Sequence, residues 1–213
     1  MIELLLEGHI SLFITILAAI IISLTFHEFG HAATAKLYGD DTAQRAGRLT
    51  LNPMAHIDPT GLLMVAIIGF GYAKPVPTNP AKFNSLWASL FVSAAGPGMN
   101  LLIAIVAINF YSFGMQSGWA FMQTSGAQFF FVYLAQINLI LMIFNLVPIG
   151  ALDGHYILPY FLPKSAAQQY RHWNNLYGNR LLFGLVLLSL FGLPIFSYIW
   201  RLGETLLPLI RFI

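Results

Sequence analysis

The feature that most limits the possible folds is an interval without charge. Residues 83–152, 70 in all, include no Asp, Glu, Lys or Arg. Soluble domains carry charge on roughly a quarter of their residues, whereas a membrane-spanning helix needs about 20 consecutive apolar residues. An uncharged interval of this length accommodates two such helices. Of the 213 residues of the chain, 58% are hydrophobic and only 8% are charged. We therefore expect an integral membrane protein whose surroundings are the lipid bilayer.

The apolar segments predict an all-α polytopic membrane protein with about four spanning helices. These helices are expected at residues 10–35, 86–113, 127–149 and 181–200. Residues 62–70 are also apolar but too short to span, so they are predicted to be re-entrant or interfacial. The Gly- and Pro-rich sequence around them predicts short membrane-associated β-strands at residues 48–51 and 72–76. We interpret residues 1–213 as one membrane domain in which residues 36–85 form a strand and re-entrant loop insertion.

The distribution of basic residues predicts the orientation, because short loops rich in Lys and Arg stay in the cytoplasm. Residues 36–82 contain five of the ten basic residues, which places the insertion on the cytoplasmic side. If residues 62–70 do not cross, the predicted helix 127–149 ends on that side as well. The formal charge of +2 and the absence of a run of Lys and Arg predict no nucleic-acid partner.

The segment His27-Glu28-Phe29-Gly30-His31 predicts a metal site. On an α-helix, residues four apart project from one face, so His27 and His31 are able to share one ion. Glu28 flanks that face, where a carboxylate suits a general base acting on water activated by the ion. The alternative is that these polar groups merely end a helix. Three titratable groups within five residues are costly in a bilayer without a metal or a pore, so we favour the metal site.

A catalytic zinc ion takes three protein ligands, so a third must come from another part of the chain. The chain has no Cys, and the candidates are Asp153, His155, Asp58 and His56. Asp153 is the first charged residue after the uncharged interval, at the cytoplasmic end of the predicted helix 127–149. The predicted topology brings it to the same side as His31 and favours it as the third ligand. As an alternative, Asp153 belongs to an ordinary Asp-Gly turn.

Two asparagines in the uncharged interval, Asn100 and Asn145, are expensive in hydrocarbon unless they form hydrogen bonds. Either side chain is suited to donating a hydrogen bond to a developing oxyanion. An interhelical hydrogen bond explains each of them as well, and more readily for Asn100. The sequence leaves both interpretations open.

These residues resemble the site-2 protease family of intramembrane zinc metalloproteases. The resemblance covers most of the chain and rests on three motifs. They are His-Glu-Phe-Gly-His at 27–31, Gly-x-x-x-Asn at 96–100, and Asn-x-x-Pro followed by Asp-Gly at 145–154. It suggests a compact form without the PDZ domain of larger relatives, in a prokaryotic cell (inner) membrane, with the active site towards the cytoplasmic side.

The resemblance implies a role for each matching residue. His27, His31 and Asp153 bind one Zn²⁺ per chain, Glu28 is the acid and base, and Asn145 faces the site. The implied activity is a zinc endopeptidase that hydrolyses peptide bonds of membrane-embedded protein or peptide substrates by zinc-activated water. Two alternatives use the same chain without turnover: a membrane metal-binding transporter or sensor, and a scaffold that binds membrane helices. Glu28 argues against transport, since a transporter has little need of a carboxylate beside its ligands.

Overall fold

A computed structural model describes residues 1–68 and 71–213. The ten α-helices in these ranges are α1 (Ile2–Leu6), α2 (Ile10–Leu37), α3 (Thr42–Arg45), α4 (Pro59–Ile68), α5 (Ala88–Gln116), α6 (Ser125–Asn145), α7 (Gly154–Ile157), α8 (Lys164–Trp173), α9 (Asn179–Leu190) and α10 (Ile195–Leu206). Short 3₁₀ turns lie at Pro53–Ala55, Pro80–Lys82, Leu158–Phe161 and Leu207–Ile210, and one π-helical turn, Asn174–Gly178, joins α8 to α9.

Within residues 1–68 and 71–213, three helices are long and apolar enough to cross a membrane: α2 with 28 residues, α5 with 29 and α6 with 21. Each exceeds the roughly 20 residues that a 30 Å hydrocarbon layer requires at a rise of about 1.5 Å per residue. They correspond to the helices predicted at residues 10–35, 86–113 and 127–149. The prediction of an all-helical integral membrane protein is therefore confirmed in its main part.

The central helix of the three is α5, which packs against both α2 and α6. Their contact is built largely from small buried residues, among them Ala19, Ala104, Ala107 and Ala135, with Leu139 as a larger member. Small side chains let helix backbones approach closely, and this replaces the hydrophobic driving force that is missing in lipid.

Buried polar side chains connect the three helices at one level. Asn100 of α5 donates from Nδ2 to Oδ1 of Asn138 in α6 at 2.8 Å and to the Ser23 carbonyl of α2 at 3.3 Å. Asn138 in turn donates to the Ser23 hydroxyl at 2.8 Å. The interhelical interpretation of Asn100 is therefore correct. Since unpaired polar groups are costly in a low-dielectric interior, this network favours a single arrangement of the three helices.

The prediction of a fourth spanning helix at residues 181–200 is wrong. The chain breaks there into α9 and α10, each of 12 residues, which is too short to span alone. Gly192 adopts a φ of +106° in the break, and Pro194, which cannot continue a helix from the preceding turn, precedes α10. Helix α10 packs along α6, where Gln136 donates to the Trp200 carbonyl at 3.1 Å.

The strands predicted at residues 48–51 and 72–76 do not form in the described parts of the insertion. Pairing there is limited to one isolated antiparallel bridge between Ile57 and Ala73. The flanking Pro75 and Pro77 have no N–H to donate, which prevents a longer ladder. The segment 62–70, which was predicted to be re-entrant or interfacial, lies mostly in α4, a helix of 10 residues. Residues 69 and 70 of that segment lie outside the described residues.

Candidate metal centre

The two histidines of α2 meet as their spacing predicted. Nε2 of His27 and Nε2 of His31 are 3.0 Å apart, and the two rings pack edge to face. Both rings lie against the backbone of α5 at Gly96. A Cβ at that position would lie 2.4 Å from His31 Nε2 and 2.6 Å from His27 Nε2. Glycine is therefore required here so that both imidazoles fit between the helices.

Hydrogen-bond acceptors on α5 determine which ring nitrogen carries the proton in each neutral histidine. His31 Nδ1 lies 2.7 Å from the Val92 carbonyl, which only accepts, so Nδ1 donates. His27 Nδ1 lies 2.6 Å from Asn100 Oδ1. That oxygen is identified because the Asn100 amide nitrogen donates to the Ser23 carbonyl. Both Nε2 atoms therefore present lone pairs to the space between them, as metal-binding histidines do when their other nitrogen is hydrogen-bonded.

Asp153 lies against the two histidines. Its Oδ2 is 3.2 Å from His27 Nε2, and its Oδ1 is 3.4 Å from His31 Nε2. The aspartate immediately precedes α7, which packs against α5. Ligand atoms of these three residues all lie within 4.8 Å of one another, and they form the one such group among the described residues. The side chain of Asp153 is 14% exposed, so the group is not completely enclosed by the protein.

The three side chains fit a divalent metal ion. Two imidazole lone pairs and a carboxylate converge, an arrangement that repels itself unless a cation lies between them. Oδ2 of Asp153 is buried and has no hydrogen bond of good geometry to the part of the chain that the structure describes. Two His and one carboxylate also match the ligand set of catalytic zinc.

The other candidates for a third ligand contact other parts of the chain. His56 is fully buried, and its Nε2 bonds to the Thr50 carbonyl at 2.8 Å. Asp58 accepts hydrogen bonds from two backbone N–H groups in the first turn of α4. His155 packs against the rings of Tyr156 and Tyr170. Of the four candidates, Asp153 is the one that the fold brings to the histidines.

Glu28 is buried beside the metal centre and makes a contact that sequence reasoning missed. Its Oε2 accepts a hydrogen bond from the backbone N–H of Val76 at 3.0 Å. Val76 belongs to residues 73–79, which form no helix and no strand beyond the bridge at Ala73 and which other residues of the insertion hold at several points. Lys74 N–H donates to the His56 carbonyl at 2.8 Å, and Arg48 donates to the Pro75 carbonyl at 2.9 Å.

Asn145 lies at the C-terminal end of α6 and is partly buried. Its amide nitrogen donates to the Leu141 carbonyl of the same helix at 2.9 Å. Its place in the catalytic site stays a prediction.

Sequence reasoning also missed two contacts that position the histidines. The Val92 carbonyl accepts from His31, and Asn138 accepts from Asn100, the partner of His27. A backbone carbonyl and one more polar residue in an apolar helix give no distinct signal in the sequence.

Comparison with known proteins supports the same assignment. The family model of peptidase family M50 matches residues 15–123 and 112–189. The chain is 37% identical over 195 residues to a candidate zinc metalloprotease, YwhC of Bacillus subtilis, covering 89% of this chain and 85% of the relative. A candidate zinc metalloprotease of Mycolicibacterium smegmatis, Rip2, is 31% identical over 170 residues, or 74% of this chain and 61% of the relative.

Rip2 of Mycobacterium tuberculosis H37Rv is 29% identical over 164 residues, again covering 74% of this chain and 61% of the relative. No solved structure is significantly similar to the chain. The family match extends over most of the chain and includes all three metal-site residues. The chain therefore belongs to peptidase family M50, the site-2 protease family, and is a zinc metalloprotease of the membrane.

Proposed function

We propose that this metalloprotease is an intramembrane endopeptidase that hydrolyses peptide bonds of membrane-embedded protein substrates, with one Zn²⁺ per chain held by His27, His31 and Asp153. The observation that carries the proposal is the convergence of these three side chains within 4.8 Å between helices that are long enough to span a bilayer. The ligands lie on α2 and just before α7, so the reaction would take place at the membrane and not in a separate soluble domain.

Glu28 is proposed as the general base and acid. A zinc ion bound here would supply Lewis-acid polarisation of the scissile carbonyl and of water. Glu28 takes a proton from the attacking water as the new C–O bond forms, and then donates it to the leaving amine as the C–N bond breaks. The Val76 N–H contact at Oε2 supports this role because it holds the carboxylate in one orientation and leaves Oε1 for the proton.

Asn145 is proposed to donate a hydrogen bond to the oxyanion that develops on the substrate carbonyl. An asparagine amide nitrogen has two hydrogens, and the bond to Leu141 uses one of them. The second hydrogen is therefore able to serve the substrate without loss of the intrahelical bond. A substrate helix must also unwind locally, because its carbonyls are otherwise hydrogen-bonded within the helix.

We further propose that the protein acts in a prokaryotic inner membrane with this site towards the cytoplasm, and that residues 1–213 work as one domain. The basic insertion 36–85 supports that orientation, since it begins in the last turn of α2, five residues after His31. Helices α5 and α6 carry no charged residue, which argues against the alternative of a metal transporter, whose path would need polar groups along several helices.

The test separates metal binding from catalysis. The full chain is purified in detergent as wild type, Glu28→Gln and a His27→Ala, His31→Ala double variant. Zinc is measured by elemental analysis, and cleavage is measured on a panel of tagged single-span proteins co-reconstituted in liposomes. We expect about one zinc per chain in wild type and Glu28→Gln, no zinc in the double variant, and cleavage in wild type alone. Glu7→Gln, an exposed carboxylate near the N-terminus, is the matched control. Retained cleavage in Glu28→Gln refutes the mechanism.

A further inference from the structure

The loop that carries Asp153 is hydrogen-bonded to a side chain from a distant part of the sequence. Asn174 is 5% exposed, and its side-chain amide bonds to both backbone polar groups of Gly150. Gly150 N–H donates to Asn174 Oδ1 at 2.8 Å, and Asn174 Nδ2 donates to the Gly150 carbonyl at 3.0 Å. A donor and an acceptor on one backbone residue fit a primary amide group, which has one of each on adjacent atoms.

Three residues on one helix face contact or make room for this loop. Tyr170, Asn174 and Gly178 follow one another at four-residue spacing and so share a face. The Tyr170 hydroxyl donates to the Pro148 carbonyl at 2.7 Å. Gly178 leaves room, since a Cβ there would lie 2.1 Å from Asn174 Oδ1 and 2.9 Å from Gly150 N. Asn174–Gly178 is also the π-helical turn, an irregularity that widens a helix locally.

The backbone of this loop has little conformational freedom between Gly150 and Asp153. Gly150 has a φ of +61°, and the next turns are closed by backbone hydrogen bonds from Leu152 N to the Ile149 carbonyl and from Tyr156 N to the Asp153 carbonyl. At Gly154 the loop folds back on its own start, where a Cβ would lie 2.2 Å from the Leu146 carbonyl oxygen. A displacement at Gly150 is therefore passed to Asp153, three residues later.

We propose that Asn174, assisted by Tyr170, is a positioning residue of the metal centre: it holds residues 146–153 so that the Asp153 carboxylate meets His27 and His31. This inference rests on the proposed function in that it takes the three side chains as zinc ligands. The side-chain bonds of Asn174 go to Gly150 and not to a proposed zinc ligand, so Asn174 acts through Asp153. The two histidines are oriented separately, by Val92 and Asn100 of α5, so the effect of Asn174 is confined to one ligand.

The consequence is a specific pattern of zinc affinities. Loss of the amide in Asn174→Ala frees the loop, and zinc affinity falls about 10- to 100-fold, as is typical for residues that orient a metal ligand. Once Asp153 is itself removed, there is no carboxylate left to position. Asn174→Ala then changes the affinity of the Asp153→Ala protein by less than about 2-fold, because two sites that act through one contact are not additive.

The experiment measures zinc dissociation constants of the detergent-purified full chain by competition with a chromophoric chelator. The proteins are wild type, Asn174→Ala, Asp153→Ala and the double variant. Asn175→Ala is the matched control, because Asn175 is the exposed neighbour of the same residue type. Tyr170→Phe removes a single hydroxyl and provides a milder second variant, for which a smaller loss with the same dependence on Asp153 is expected. Unfolding midpoints of the zinc-free proteins record general stability.

An unchanged affinity in both Asn174→Ala and Tyr170→Phe overturns the proposal. So does an equal loss with and without Asp153, which would mean that Asn174 supports the fold in general. Binding of zinc requires no turnover, so the result stands apart from the peptidase assay. A wild type that binds zinc and cleaves nothing contradicts the proposed function and leaves the Asn174 inference to be decided by the affinities.

Discussion

Replacement of Gly96 by alanine should dismantle the metal centre while leaving the helices in place. The new methyl group would lie 2.4 Å from His31 Nε2 and 2.6 Å from His27 Nε2, whereas ordinary contacts begin at 3.4 Å. The Nε2 atoms must therefore move by about 1 Å, several times the ~0.2 Å tolerance of metal–ligand distances. The atoms in the way belong to side chains that can rotate, so the helices need not separate.

We expect Gly96→Ala to lower zinc affinity by more than about 100-fold, or about 2.7 kcal/mol, which is at or beyond the upper end for indirect perturbations of a site because two ligands are displaced together. The unfolding midpoint of the zinc-free protein should change little, since alanine is the better helix former and partly compensates for the displaced rings. Chelator competition measures the affinity, and thermal unfolding in detergent measures the stability.

Gly98→Ala is the matched control. It makes the same substitution two residues later in α5, at a position where a Cβ would have no atom of the described residues within 4 Å. It should bind zinc like the wild type. Equal affinities for Gly96→Ala and Gly98→Ala would refute the argument, because they would show that the histidines do not bind metal against the backbone of α5.

Three further predictions follow from separate contacts. Asn100→Ala removes the partner of His27 Nδ1, so zinc affinity should fall about 10- to 100-fold; calorimetric titration measures this, and a wild-type affinity would contradict it. Asn138→Leu removes the support of Asn100 and should give a smaller loss in the same assay, whereas a larger loss would be inconsistent. Burial raises the pKa of Asp40, but hydrogen bonds from Thr42 and Asn79 hold it below its ordinary value of 3.8. The stabilisation is therefore complete above that pH and is lost as the pH falls through the lower folded value; the deficit in unfolding midpoint of Asp40→Asn should shrink on acidification, and a pH-independent deficit would contradict it.

The parts of the site that sequence reasoning found are those set by local geometry or by topology. The four-residue spacing of His27 and His31 determines their shared face on any helix. Asp153 was inferred because it follows the uncharged interval on the predicted side of the membrane. The prediction of a fourth spanning helix was wrong for a local reason as well. Gly192 and Pro194 interrupt an apolar segment that is continuous by hydropathy alone.

The contacts that sequence reasoning missed join residues far apart in the chain. Val76 is 48 positions from Glu28, and Gly150 is 24 positions from Asn174. Periodicity assigns a residue to a helix face but does not say which neighbouring helix or loop that face will meet. A backbone donor such as the Val76 N–H does not depend on which side chain is present, so the residue type does not indicate its contact.

The sequence by itself determined that this chain lies in a membrane, that two histidines and a glutamate share one helix, and that an aspartate is available to complete a zinc site. The tertiary structure decided which atoms meet: the Nε2 atoms of His27 and His31 turn towards Asp153 because Asn100 and Val92 of α5 hold the opposite nitrogens. The physical reason is that metal-binding geometry is set to a few tenths of an ångström. Such accuracy comes from the packing of helices and loops, which depends on the whole chain at once.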